Sequence, residues 1–157
     1  MPRTLLALGL LLTALGAAAG TPMVFQSLGL EEGLSQSTVN ASLQDSRGFM
    51  WFATENGLNR FDGYTVTRFL RDADDPSALE SDFIWGLAED ARGDLWLATE
   101  GAGLVRRRDR HFHTIMPAAV MDAEPARRFA RSILIDPQGR IWVGTRGAGL
   151  LQFDADG

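Results

Sequence analysis

The chain contains no cysteine, no lysine, a single tyrosine and two histidines in 157 residues. Without cysteine there is no disulfide, no thiolate chemistry and no lipid-modified N-terminal Cys. All 15 basic residues are arginine. That reads as a composition bias rather than a binding signal, since the net charge of −5 gives nucleic acid no electrostatic support. The two histidines, His111 and His113, need a third ligand to hold a metal, and none is placed nearby. No G-x-x-x-x-G-K phosphate loop and no G-x-S-x-G nucleophile turn occur. The chain is therefore expected to be non-catalytic, with no cofactor and no metal. Helix-period patterning is missing beyond the first twenty residues.

Those first residues are of another class. "MPR" is followed by "LLALGLLLTALGAAAG", an apolar stretch shorter than the roughly 20 residues that span a bilayer. It ends in an A-x-A pattern, Ala17-Ala18-Ala19, with Pro22 close behind. Residues 1–19 are read as a secretory signal peptide and residues 20–157 as the exported domain.

What the sequence does contain is repetition. Trp51, Trp96 and Trp142 are spaced by 45 and 46 residues. Asp45, Asp90 and Asp136 keep that register, as do Gly48, Gly93 and Gly139, and Thr54, Thr99 and Thr145. Each copy begins with an apolar strand ending in Asp, then x-x-Gly. Asp can bond its own backbone there, and Gly can take φ > 0 to close a tight hairpin. A short apolar-Trp-apolar strand follows, then a Gly-bearing turn and a third strand. "YTVTRF" and "HFHTI" supply a fourth in the first two copies.

Four short strands per period of about 45 residues is the pattern of a β-propeller blade. The fold class is all-β: blades of four antiparallel strands, about three blades of an incomplete ring. Expected boundaries are a lead-in strand over 24–31, blade 1 over 38–69, blade 2 over 83–115 and a truncated blade 3 over 130–157. Closed propellers have about 4–8 blades, so the chain is expected to be the N-terminal part of a longer protein. Its two end faces should then expose apolar surface. The three Trp are expected to fill equivalent buried positions, each worth roughly 2–3 kcal/mol.

These phrases, "LQDSRGFMWFATENGLNRFDG", "LAEDARGDLWLATEGAGL" and "LIDPQGRIWVGTRGAGLLQFD", resemble the two-component regulator propeller repeat. The lead-in "FQSLGLEEGLSQSTV" also looks like the usual start of that family's first blade, and the resemblance covers residues 24–157. It implies a periplasmic ligand-sensing propeller of a transmembrane signalling protein. The parent would be a homodimer anchored in the inner membrane by downstream segments. Its output would be a histidine kinase, simple or hybrid, or a diguanylate cyclase. Ligands in this family are often saccharides, so the expected partner is a small ligand of that kind and not nucleic acid. A lyase-like propeller enzyme and a purely protein-binding propeller are the alternatives. One departure stands out: Arg107 and Arg108 occupy positions where the other copies have Phe61 and Phe153, and Asp62 and Asp154. That predicts an irregular third strand in blade 2.

Three residues are candidate ligand contacts. Trp85 lies out of register at the start of an inner strand, near one mouth of the ring, where an exposed aromatic can stack on a sugar. Arg106 and Arg108, in "RRRDRHFH", could meet an anionic group, although charge on an outer strand pair is also what discourages edge pairing. "RDADDPSALESD", with Asp72, Asp74 and Asp75, lacks the Gly and distal Glu of a calcium loop and reads as a solvated loop between blades.

Overall fold

The Asp-x-x-Gly phrases close hairpins, and three sheets grow from them. The computed structural model describes residues 26–115 and 129–155; the expected signal peptide over 1–19 lies outside these residues. Blade 1 is β1 (Val39–Gln44), β2 (Met50–Thr54), β3 (Gly57–Phe61) and β4 (Val66–Phe69). Blade 2 is β5 (Ile84–Glu89), β6 (Leu95–Thr99), β7 (Gly103–Arg108) and β8 (His111–Thr114). Blade 3 is β9 (Ala130–Ile135), β10 (Ile141–Thr145) and β11 (Leu150–Phe153). Every sheet is an antiparallel meander in chain order. There is no helix among the described residues.

One device repeats in each first hairpin. Oδ1 of Asp45 accepts the amides of Arg47 (3.0 Å) and Phe49 (2.9 Å), and Oδ2 accepts the indole N–H of Trp51 (2.9 Å). Asp90 does the same for Arg92, Asp94 and Trp96, and Asp136 for Gln138, Arg140 and Trp142. Gly48, Gly93 and Gly139 donate to the carbonyls of these aspartates from φ of 91°, 82° and 82°. The sequence reading foresaw the Asp-to-backbone bonds. It did not foresee the bond to Trp, which ties the turn to the blade's largest core side chain.

The Trp side chains also set the stacking direction. Trp51 and Ala53 face blade 2 and pack with Leu95, Leu97, Val105 and Phe112. Trp96 and Ala98 leave the opposite face of blade 2 and pack with Ile141 and Val143 of blade 3. Trp142 points the same way from blade 3, alongside its cross-strand neighbours Leu134 and Gln152. That face carries no covering sheet among the described residues, so Trp142 is half-buried and Leu134 and Leu150 are 63% and 66% exposed. The expectation of three equally buried Trp therefore holds for Trp51 and Trp96 only, because burial depends on the next blade.

Three further expectations need correction. The lead-in strand over 24–31 is not formed in its described part. Residues 26–29 are irregular and a turn follows, with Gly33 N donating to Leu30 O (3.1 Å) and Leu34 N to Gly29 O (3.0 Å). No sheet edge among the described residues pairs with this segment, and it folds onto blade 1 instead. Leu34 is buried, and Ser35 bonds Asn59 through both its amide (2.9 Å) and its hydroxyl (2.8 Å). The outer face of blade 1 is therefore partly covered rather than open. The third strand of blade 2 is regular: Arg107 lies over Trp51, Phe69 and Phe112, replacing a Phe by a stacked guanidinium, and Arg108 bonds Asp94. Finally, the loop between blades 1 and 2 is solvated only in part, since Leu79 is buried in the interblade core.

The clasps carry a pH signature. Asp136 is lowered from 3.8 to about 2, first by the Trp142 indole; burial is the second-largest influence and pushes upward, but the side chain and amide of Arg140 add to the indole and outweigh it. Asp45 and Asp90 are lowered as well: burial is their largest single influence and pushes upward, but the indole, two amides and a neighbouring Arg together outweigh it. A depressed folded-state pKa gives stability that is complete above the unfolded value and lost as pH falls through the folded one. The urea midpoint is expected to hold from about pH 7 to pH 5 and to fall between about pH 4 and pH 2, with Asp136→Asn flattening part of that fall. A flat midpoint down to about pH 2 would exclude the clasps as a source of stability. Asp45→Ala is expected to cost about 3 kcal/mol, because it strands a buried indole N–H and two turn amides. Asp136→Ala should cost less, because water reaches the half-buried Trp142. Equal costs in urea unfolding would contradict the burial difference.

Candidate functional site

The register places the two ends of each blade apart. The starts of β1, β5 and β9 share one end with the β2–β3, β6–β7 and β10–β11 turns, as the pairs Val39 with Thr54, Ile84 with Thr99 and Ala130 with Thr145 show. The Asp-x-x-Gly turns and the β7–β8 turn lie at the other end. In each blade the inner strand is irregular near its start, with register shifts at Val39/Ala41, Ile84/Gly86 and opposite Gly144/Thr145. The extra residue, Asn40 in blade 1 and Trp85 in blade 2, is thereby released from ladder pairing, and in blade 3 Arg131 takes this place.

These three positions meet the neighbouring blade. Asn40 Nδ2 donates to Ile84 O (2.9 Å). Arg131 lays its guanidinium 4.0 Å from the centre of the Trp85 ring, and Phe83 packs at 4.8 Å. Glu100, in the β6–β7 turn, accepts the Trp85 indole N–H on Oε2 (3.0 Å) and pairs there with Arg131 (3.4 Å). Trp85 thus sits in a cluster of aromatic, carboxylate and guanidinium groups at the inner-strand end. All of its polar members are only part-buried. Such a set can stack on a flat apolar face and bond hydroxyl groups around it.

Arg106 and Arg108 do not join it. Arg106 lies opposite Trp96, its guanidinium 5.4 Å from that ring. Arg108 ends β7 near the opposite end of the blade and bonds Asp94 through Nε (2.7 Å) and Nη2 (2.5 Å). The hydrogen bond to Asp94, and then its charge, raises the Arg108 pKa above the ordinary value. The three candidates of the sequence reading are thus split between two ends of one sheet. His111 and His113 are exposed on β8, the outermost strand of blade 2. Sequence reasoning missed Glu100 and Arg131 as companions of Trp85. It also missed the buried pair Leu34 and Leu79, whose spacing of 45 residues matches that of Trp51 and Trp96.

The fold and the repeated clasp define a propeller region of the kind carried by two-component regulators. The profile of the two-component regulator propeller matches residues 33–56, 78–101 and 125–147, so the chain carries three copies of that family's repeat. Histidine kinase P4 of Formosa agariphila is 37% identical over 62 residues, which are 40% of this chain and 4% of that kinase. Two structures of one extracellular domain from B. thetaiotaomicron, assigned once to a hybrid two-component system and once to a one-component system, share its architecture. One has a TM-score of 0.60 at 26% identity over 76% of this chain and 17% of that domain. The other has a TM-score of 0.65 at 23% identity, over 85% and 19%, and shows the fold alone. The chain spans less than a fifth of those solved domains.

Proposed function

We propose that this chain forms part of the periplasmic, ligand-sensing propeller of a transmembrane two-component signalling protein. The observation that carries the reading is the set of three in-register blades matched by the family. The extracellular placement of the B. thetaiotaomicron relative and the N-terminal signal-peptide pattern agree with it. The parent is a homodimer anchored in the inner membrane, with a histidine kinase or a diguanylate cyclase as its output. The propeller takes a small ligand, a saccharide, at the inner-strand end. Trp85 offers the stacking face there, with Glu100 and Arg131 as hydrogen-bonding groups. Arg106 and Arg108 lie too far along the blade to share that ligand. Binding preferred by one arrangement of the region shifts its population, and the membrane segment carries the shift inward.

The lyase-like alternative would need histidines at the ring's mouth, whereas His111 and His113 sit on an outer strand. Nothing specific favours it.

Two measurements test the proposal. Alkaline phosphatase fused after Gly157 is expected to be active in a bacterial host and to lose that activity when residues 1–19 are deleted. Activity that survives the deletion would refute export by this segment. In the full-length protein, at a temperature where the variant stays folded, Trp85→Ala is expected to weaken binding to an oligosaccharide panel about tenfold, with a lower unfolding midpoint from the lost Glu100, Arg131 and Phe83 contacts. Wild-type affinity in that variant would remove Trp85 from the site.

A further inference from the structure

The end of the array away from Trp85 holds a second concavity. It is a cleft of about 780 Å³ between blades 1 and 2, lined by five arginines: Arg47, Arg60, Arg92, Arg107 and Arg110. Its carboxylates are Asp94 and Asp109, and Asp94 is already taken by Arg108. Arg47 and Arg92 have partners in Asp45 and Asp90, at 3.4 and 3.6 Å. For Arg60, Arg107 and Arg110, no carboxylate among the described residues lies within ion-pair distance. Five of the 15 arginines of a chain with a net charge of −5 meet here.

Three features set this cluster apart from a solvated charged face. Arg60 and Arg107 are held by their planes, Arg60 at 4.7 Å from the Phe49 ring and Arg107 at 5.1 and 5.2 Å from Trp51 and Phe69. Stacking fixes a guanidinium while leaving its in-plane N–H groups free for an acceptor. The Nε atoms of both residues are buried and have no hydrogen-bond partner, which is rare for a native donor and calls for a physical cause. Burial first, and then the charges of Arg60, Arg47 and Arg110, lowers the Arg107 pKa, and the Asp45 carboxylate offsets this only in part. Third, the β7–β8 hairpin turns on Asp109 and Arg110, with φ of 49° and 73°. Such a two-residue turn normally carries Gly at its second position. Here a strained Arg stands there and lines the cleft. Strain of this kind collects at ligand sites.

We propose that this cleft is an oxyanion-binding site, which takes a phosphate or sulfate group between Arg60, Arg107 and Arg110. A tetrahedral dianion supplies acceptors for guanidinium N–H groups of the lining and offsets three clustered cations. The site is independent of the Trp85 cluster and of any saccharide bound there.

The test uses the full chain at constant ionic strength. Inorganic phosphate and inorganic sulfate are titrated separately against a chloride control, and the arginine Nε–H resonances are followed by NMR. Glucose 6-phosphate and glucose 6-sulfate then show whether the group is preferred free or carried on a sugar. Saturable shifts of the Arg60 and Arg107 Nε signals are expected with at least one dianion. Arg60→Gln should weaken that binding about tenfold. Arg110→Gly should weaken it similarly while raising the thermal midpoint, because Gly relieves the left-handed strain. That opposite movement separates a binding role from a structural one. The proposal fails if the Nε signals stay unmoved up to roughly millimolar dianion, the range of a weak single site. It fails equally if Arg110→Gly binds like the parent chain.

Discussion

Three aspartates hold this structure together, each by joining a turn to a tryptophan. An indole N–H inside a blade must find an acceptor, because leaving it unpaired costs about 1–3 kcal/mol. A turn amide facing inward has the same need. Asp45, Asp90 and Asp136 meet both with one carboxylate, and the Gly three residues later lets the chain pass close enough to do so. The blade is therefore specified twice, through apolar burial and through an ionised group whose geometry tolerates no register slip. A one-residue shift would turn each Trp to the opposite face and break both bonds at once.

The clasp also explains why the blades stack in one sense. It fixes the Trp on the face that meets the next blade, so each sheet presents its tryptophan forward and its smaller apolar residues backward. Blade 1 closes its backward face in part with residues 26–37, through Leu34 and the bonds between Ser35 and Asn59. Blade 3 presents Trp142, Leu134 and Leu150 forward, where the described residues place no partner sheet. Stability in such an array is a sum of unit and neighbour contributions, and the neighbour contribution is what Trp142 lacks here.

Much of this was legible in the sequence, and the exceptions have a common cause. Repeats in register revealed the strands, the turns and the left-handed Gly positions, all of which depend on neighbours close in the chain. Trp85 was noticed because it stood out of register. Its partners Glu100 and Arg131 were not, because they come from a turn and from the next blade, 15 and 46 residues away. Arg107 looked like a defect when compared with Phe61 and Phe153. In the structure it is a guanidinium that spreads over three rings, doing by stacking what Phe would do by burial. The run "RRRDRHFH" hinted at an anion contact, but the arginine-lined cleft could not be assembled from it for the same reason. Its walls come from the first hairpins of two blades, from β3 and from the β7–β8 turn, and no spacing rule connects them.

The two ends of the blades answer to different constraints. At the inner-strand end, irregular pairing frees Asn40, Trp85 and Arg131 from the ladder, so their side chains make contacts with the neighbouring blade instead. At the other end, the clasps leave little freedom, because Asp45 and Asp90 already bind their turns and indoles. The arginines there have to come from positions the clasp does not use: Arg60 and Arg107 on third strands, and Arg110 on the next turn. Arg107 stacks on the very Trp51 that Asp45 holds through its indole. Charge at that end is therefore coupled to the core packing of the blade, whereas chemistry at the mouth is coupled to the part-buried contacts between blades 2 and 3. A change at Trp85 should be felt where blades 2 and 3 meet, whereas a change in the charge around Arg107 acts on the Trp51 packing that joins the first two blades.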